Sequence, residues 1–363
     1  MPASYSNTPL TIPTEPIGSV PRSPELLAAI DAKKNGAISD EELAQRFDLA
    51  VKDTVRRFLL TGSPVITDGE QSKSSFATYP LEGMDGLSGD GVVIEFADGH
   101  TRQLPRLTKG PFRYRKYADT YLKAAKSISS VPVKQAVISA SALSLLYQSP
   151  IPGYSREQFT ADLIQEAESD IRRCLAAGAH CVQIDFAEGR LSLKLDPRGS
   201  LLKAFIDLNN QVVGRFSEDE LANIGVHSCP GGDKDATHSA SVDYELLLPA
   251  LFTLRARRFY IQLASEPDRP RVLRAIKSYL KPNQVVFVGV IDPINSRIET
   301  PEEVQERVIE ASSYIAIEQF GTTDDCGFSP FADDVSTSRD TAFAKIAARV
   351  AGTRLAERSL GLA

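Results

Sequence analysis

Short apolar, β-branched runs recur along the chain and alternate with segments whose apolar positions return every three or four residues. The runs are PIGSV (16–20), PVITDGE (64–70), VKQAVISA (133–140), HCVQIDFA (180–187), NIGVHSC (223–229), RFYIQLAS (258–265), QVVFVGVID (284–292) and IAIEQFGTT (315–323). Near-continuous apolar character over so few residues predicts strands buried on both faces. Between them helical periodicity is clearest in SDEELAQRFDLAVKDTVRRFLLTG, SREQFTADLIQEAESDIRRCLAAG, DYELLLPALFTLRARR, DRPRVLRAIKSYL and TPEEVQERVIEASSYI. Several of these open on Ser, Thr or Asp followed by acids, as helix N-termini do, and Gly62 and Gly178 stand where two should stop. Strands alternating with helices in this way predict an α/β fold, a parallel (β/α)8 TIM barrel.

The alternation is interrupted once. Residues 71–130 form an insertion between the second and third strands, where GVVIEFADGHTRQLP reads as a β-hairpin turning at Asp98-Gly99. Residues 1–15 are rich in Pro, Ser and Thr and read as a loose N-terminal arm, and residues 1–363 as a single catalytic barrel. The closing segment SRDTAFAKIAARVAGTRLAERSLG predicts a long amphipathic helix against the barrel. No repeat of solenoid period is present.

Polar residues collect at the C-terminal ends of the expected strands: Ser19, Asp68, Glu70, Asp185, His227, Cys229, Glu266, Asp292 and, after GTTDD, Cys326. Loop polarity would explain any one of them, but active sites of such barrels lie on that rim. In VHSC, His227 and Cys229 are two apart, so on a strand both face the same side. With Cys326 they make three ligands of the kind zinc takes. Cys174 falls within a helix and Cys181 begins a strand, which suits packing. His100 at a hairpin turn and His180 at a strand start read as structural or exposed. Asp292 and His238 are candidate catalytic residues, the latter for proton transfer, with a loop-capping role as the alternative for His238.

The net charge of −6 leaves no basic excess to replace phosphate counterions, which argues against a nucleic-acid binder. The cluster PFRYRKY is too short to change that. No apolar run has the length of a membrane span, and the N-terminal segment lacks the basic and apolar regions of a secretory signal. Four cysteines are too few for a disulfide scaffold, so a cytoplasmic setting is expected, where thiolates remain available to a metal.

These motifs together resemble the cobalamin-independent methionine synthase family, specifically its C-terminal catalytic barrel. IGSVPRSPELLAAI is similar to the family's barrel-opening I-G-S-x-P-R/Q stretch, VITDGEQSKSSF to its D/H-G-E segment, and VQIDFAEGRL to its Q-I-D-E-P-A-L. VHSC and DDCGF resemble its H-x-C and D-C-G metal motifs, and VFVGVIDPINSRIETPEEV its seventh-strand segment. Six matches fall in the same order, and the resemblance implies a single-barrel form rather than a two-barrel one. The resemblance implies zinc on His227, Cys229 and Cys326, and the substrate's amino-acid end on Ser19, Glu70 and Asp185.

The chain departs from the family pattern at four places. The position of the family's fourth ligand, a Glu, is Leu263; either the nearby Glu266 replaces it or zinc keeps three protein ligands and an open place. Ile294-Asn295 stands where the family has a catalytic His, Phe186 replaces the second acid of D-E-P-A, and there is no Trp to stack a folate. The implied activity is zinc-dependent thiol alkylation, with methyl transfer to homocysteine giving methionine as the first expectation. Partners would be a small-molecule thiol and an alkyl donor, without nucleic acid or membrane. The alternative is an epoxyalkane:coenzyme M transferase-like reaction, and a third reading is a metal-bearing barrel that binds without catalysing.

Overall fold

The computed structural model describes residues 11–232 and 234–362. Its strands are β1 (Leu87–Ser88), β2 (Val93–Glu95), β3 (Thr101–Gln103), β4 (Arg106–Leu107), β5 (Gln135–Ile138), β6 (Val182–Asp185), β7 (Ile224–Ser228), β8 (Arg258–Ile261), β9 (Val285–Ile291) and β10 (Phe320–Asp324). The last six pair in parallel in sequence order, β5 to β10, and are buried along nearly their whole length. Helices on the connections, among them Asp40–Leu60, Arg156–Ala176, Arg269–Tyr279 and Pro301–Ser312, make this the expected (β/α)8 barrel.

Two staves of the ring differ from the expectation. The runs at 16–20 and 64–70 are not regular strands; Thr14 bridges Thr322 in parallel, and Ile66 bridges Val133. Proline explains the shortening, because Pro13, Pro16, Pro21 and Pro64 have no N–H for a ladder. The two staves are joined instead by Val20 N–H to Gly69 O at 3.1 Å and by Thr67 Oγ to Gly18 O at 2.7 Å.

The loose arm expected over 1–15 needs a correction at its end. Residues 1–10 lie outside the described residues, but Ile12, Thr14 and Glu15 are buried. The Glu357 carboxylate takes the Ile12 N–H at 2.7 Å, and Thr322 donates to the Pro13 carbonyl at 2.9 Å. Once these backbone groups are paired, the segment is part of the ring.

Capping boxes at Ser39/Glu42, Ser155/Gln158 and Thr300/Glu303 start three of the helices foreseen from sequence. Gly62 and Gly178, at φ 73° and 78°, follow their ends. The segment 243–258 is an exception. It holds only a 3-10 turn, Tyr244–Leu246, and a four-residue helix, Leu248–Leu251, with Pro249 near its start. The insertion carries the expected hairpin: β2 and β3 pair antiparallel around Asp98-Gly99, with Gly99 at φ 91°. The closing helix, Arg339–Ser359, packs on Pro301–Ser312 and buries Arg349 against Asp324.

Most of the core lies between the sheet and the helices. A second, small cluster of Ile17, Cys181, Tyr260 and Phe287 fills the ring itself. There Glu15 meets Tyr260 Oη at 2.6 Å, Arg258 at 3.0 Å and His180 at 3.0 Å, with the Lys134 ammonium over the Tyr260 ring. A plugged interior leaves the opposite rim as the place for a site. No helix among the described residues is long and apolar enough to cross a membrane.

Candidate active site

His227 lies within β7 and Cys229 just after it; Cys326 follows β10. Their ligand atoms lie within 4.8 Å of one another, and all three residues are buried. The two sulfurs are 3.3 Å apart, too far for a disulfide, and both cysteines are free. Gly232 lets the loop after β7 close on them: a Cβ there would stand 2.4 Å from Cys326 Cβ. His227 Nδ1 meets the Tyr260 carbonyl at 3.2 Å, which places its proton there and leaves Nε2 as the free donor atom.

The charges of this group reinforce one another. The hydrogen bond with Cys326 and the neighbouring His227 hold the Cys229 thiol well below its usual range, against burial. Burial disfavours the His227 cation, but the Cys229 sulfur and Asp185 raise its pKa above the usual imidazole value. Two thiols, one ionised readily, and a neutral-capable imidazole in a dry pocket fit a zinc ion by ligand type. The loop holding Cys326 is pinned by Asp325. Its carboxylate accepts the backbone N–H groups of Leu263, Ala264 and Ser265 at 2.7–2.8 Å.

Ser19, Glu70 and Asp185 stand on the wall of the same cavity, of about 460 Å³, as the His and Cys residues. Asp185 ends β6 and is the register partner of His227. Burial pushes its carboxyl up to about 6, opposed by His227. Ser19 Oγ accepts the Ser329 N–H at 3.2 Å, and no acceptor for its own proton is recorded among the described residues. Glu70 has the left-handed φ of 56°, a strained value for a residue with a Cβ. Arg22 holds that turn by donating to the carbonyls of Glu70 and Lys73, both at 2.6 Å.

Residues 12–347 match the model of the cobalamin-independent synthase catalytic domain. The chain belongs to this family. It is 26% identical over 349 residues to a methionine synthase of Sulfurisphaera tokodaii, covering 96% of this chain and 94% of that one. A methionine synthase of Saccharolobus islandicus is 25% identical over 355 residues, 98% of this chain and 97% of its own length. Among solved structures, a B12-independent methionine synthase from a Shewanella species, in complex with selenomethionine, superposes with a TM-score of 0.76 at 19% identity. That superposition covers 96% of this chain and 99% of the Shewanella one.

Two residues expected on sequence grounds do not join the site, and a third joins only its wall. Glu266 is not part of the His–Cys group; its Oε1 is engaged by Arg190 at 2.7 Å and Gln262 at 2.9 Å. Arg190 also donates to the Val242 and Ala240 carbonyls, so this pair clamps the loop after β7. Asp292 does not line the cavity. Its Oδ1 accepts the Ile294 N–H at 3.0 Å, and its carbonyl takes the Lys345 ammonium. It caps the turn after β9. His238 does line the cavity, edge-on to Phe96, and burial lowers its pKa to about 4, so it is neutral near pH 7.

Sequence reasoning passed over Lys73, Glu188, Arg190 and Asp325. Lys73 is wholly buried, 2.8 Å from Glu70 Oε1 and 2.9 Å from the Ala136 carbonyl. A signal was available: Glu70 and Lys73 are three apart in GEQSK. Nothing local distinguishes Arg190 or Asp325 from surface charges.

Proposed function

We propose that this chain is a zinc-dependent methyltransferase that methylates homocysteine to give methionine. The carrying observation is the convergence of His227, Cys229 and Cys326, from two non-adjacent strands, in one cavity with Ser19, Glu70 and Asp185. His227, Cys229 and Cys326 would hold the metal. Glu266 is engaged by Arg190 and is not in that group, so these three residues would leave the metal able to accept a substrate atom. A zinc ion held there would supply the positive charge that keeps a substrate thiol in its thiolate form at neutral pH.

The chain's own residues present that thiol. Glu70 and Asp185 supply carboxylates for the ammonium group, and Lys73 fixes one Glu70 oxygen so that the side chain has one orientation. The Ser19 hydroxyl proton serves the carboxylate. Mostly apolar walls, including Phe76, Phe96, Ile138 and Phe331, exclude water and so favour attack by the sulfur over hydration of it. In the overall reaction the donor–methyl bond breaks and a sulfur–methyl bond forms, while the thiol proton ends on the demethylated carrier. The relatives named above are methionine synthases, which favours homocysteine over coenzyme M. A reducing cytoplasm would keep both site thiols available.

The test is direct. Zinc-loaded protein is incubated with homocysteine and a methyl donor, and methionine is measured. Formation that depends on both zinc and Asp185 supports the assignment; no methionine from any donor ends it.

A further inference from the structure

Gln183 lies in β6 two positions before Asp185, so both side chains face the inside of the ring. Asp185 lines the cavity; Gln183 does not, and it is wholly buried beneath it. Its register neighbours on the two adjoining strands are Ala136 and Gly225, whose small size leaves the interior open to the longer amide. Gln183 Nε2 donates to Asp185 Oδ1 at 2.7 Å. Among the described residues no other side chain donates a hydrogen bond to this carboxylate.

That bond is also the whole of what the Gln183 side chain does. Its Oε1 is buried and has no hydrogen-bond partner among the described residues. A buried amide with an unpaired carbonyl is unfavourable, and an apolar side chain of the same length would fill the space at lower cost. Packing therefore does not explain a glutamine here; the contact with Asp185 does. The two acids that face the substrate are held in different ways. Glu70 is fixed by the Lys73 ammonium at 2.8 Å, a cation that offsets the charge it orients. Asp185 is fixed by a neutral amide, which sets the direction of the carboxylate and leaves its charge in full for a ligand.

We propose that Gln183 is a positioning residue for the amino-acid end of the thiol substrate: it holds Asp185 Oδ1 from below, so that the carboxylate meets the substrate ammonium in one orientation. The assignment rests on the homocysteine-methylating function proposed above. Gln183 itself touches neither substrate nor metal ligand.

Two thiols separate this role from a packing one: homocysteine, and 4-mercaptobutyrate, which is homocysteine without the ammonium. Binding of each to zinc-loaded wild type and Gln183→Met is measured by calorimetry, with zinc content checked on the same samples. Methionine keeps the length of glutamine and removes the donor. The expected result is that the homocysteine Kd rises by about tenfold, the scale of one hydrogen bond to a charged group, while the 4-mercaptobutyrate Kd is unchanged. In steady state the loss should fall on the homocysteine KM rather than on kcat, because the ammonium is held alike before and during transfer. Equal weakening of both thiols, or of neither, overturns the inference. Should Gln183→Met not fold, Gln183→Glu keeps the shape and turns the donor into an acceptor, with the same selective loss expected; failure of both to fold assigns Gln183 to stability and overturns it too. Wild type that binds the two thiols equally well removes the ammonium contact, and this inference, but leaves the thiol chemistry standing. Wild type that binds neither thiol defeats the proposed function itself.

Discussion

The sulfur atoms of Cys229 and Cys326 stand 3.3 Å apart, although 97 positions separate the two residues in the chain. They follow β7 and β10, which have β8 and β9 between them in the sheet, so it is the curvature of the closed ring that makes them neighbours. On the proposed zinc assignment each sulfur is one of three donors, and losing either would leave a site too sparse to hold the ion. Cys229→Ser and Cys326→Ser are each expected to retain the fold while bound zinc drops to less than about half of the wild-type content. Elemental analysis and far-UV circular dichroism check this together. Full zinc content in either variant would remove that sulfur from the site.

Glu266 gives the complementary expectation. Its Oε1 lies 2.7 Å from Arg190, with both side chains buried, so it serves the clamp on the loop after β7. Glu266→Ala leaves the Arg190 charge without its partner and is expected to destabilise the protein by roughly 3 kcal/mol. Zinc content of the folded variant should match wild type. Urea unfolding and metal analysis on the same sample decide it. A stable variant that has lost its zinc would mean that the carboxylate reaches the metal after all.

The fold was legible because its signal is repetitive: buried parallel strands read as continuous apolar runs, and the intervening helices announce themselves by caps. The first two staves were legible as apolar runs but not as irregular strands, since the prolines that spoil their ladders act through missing N–H groups. The His227, Cys229 and Cys326 group was legible because H-x-C is a local spacing and DDC follows another strand. Glu266 and Asp292 were misplaced because position at a strand end does not say what a carboxylate faces. Arg190 takes one and the turn after β9 takes the other, and both relationships are long-range or conformational. Glu188 belongs to the same class, since a partner such as Ser139 is far away in the sequence, whereas Lys73 had a local signal in its spacing from Glu70 and only its contact with Ala136 is distant.

Gly327 is next to Cys326 and touches the other half of the site. A Cβ there would lie 2.1 Å from Ser19 Oγ and 3.3 Å from the Ser19 nitrogen, so a methyl group cannot be added without moving Ser19. Gly327→Ala should raise the homocysteine KM by about tenfold, the scale of one charge-assisted hydrogen bond to the carboxylate, as should Ser19→Ala. Steady-state kinetics on both variants, at fixed zinc loading, make the comparison. An unchanged KM in Ser19→Ala would take Ser19 out of substrate binding, whatever Gly327→Ala does.

Glu15 ties stability to pH from the other end of the ring. Burial would raise its pKa, but the hydrogen bond to His180 and the charges of Lys134 and Arg258 win, lowering it from 4.5 to about 2. The folded state thus binds fewer protons than the unfolded one between these values. The stabilisation is complete above pH 4.5 and is lost as pH falls toward 2. Linkage puts it on the order of 3 kcal/mol. Other acids here, such as Asp185 and Asp325, have raised values and act with the opposite sign, so the contribution must be isolated as a difference between proteins. Glu15→Gln should lower the unfolding free energy at pH 7 and flatten its decline over that acid range relative to wild type. Urea titrations of both proteins at a series of pH values measure this. Parallel pH profiles would show that the Glu15 charge contributes nothing to holding the first stave in place.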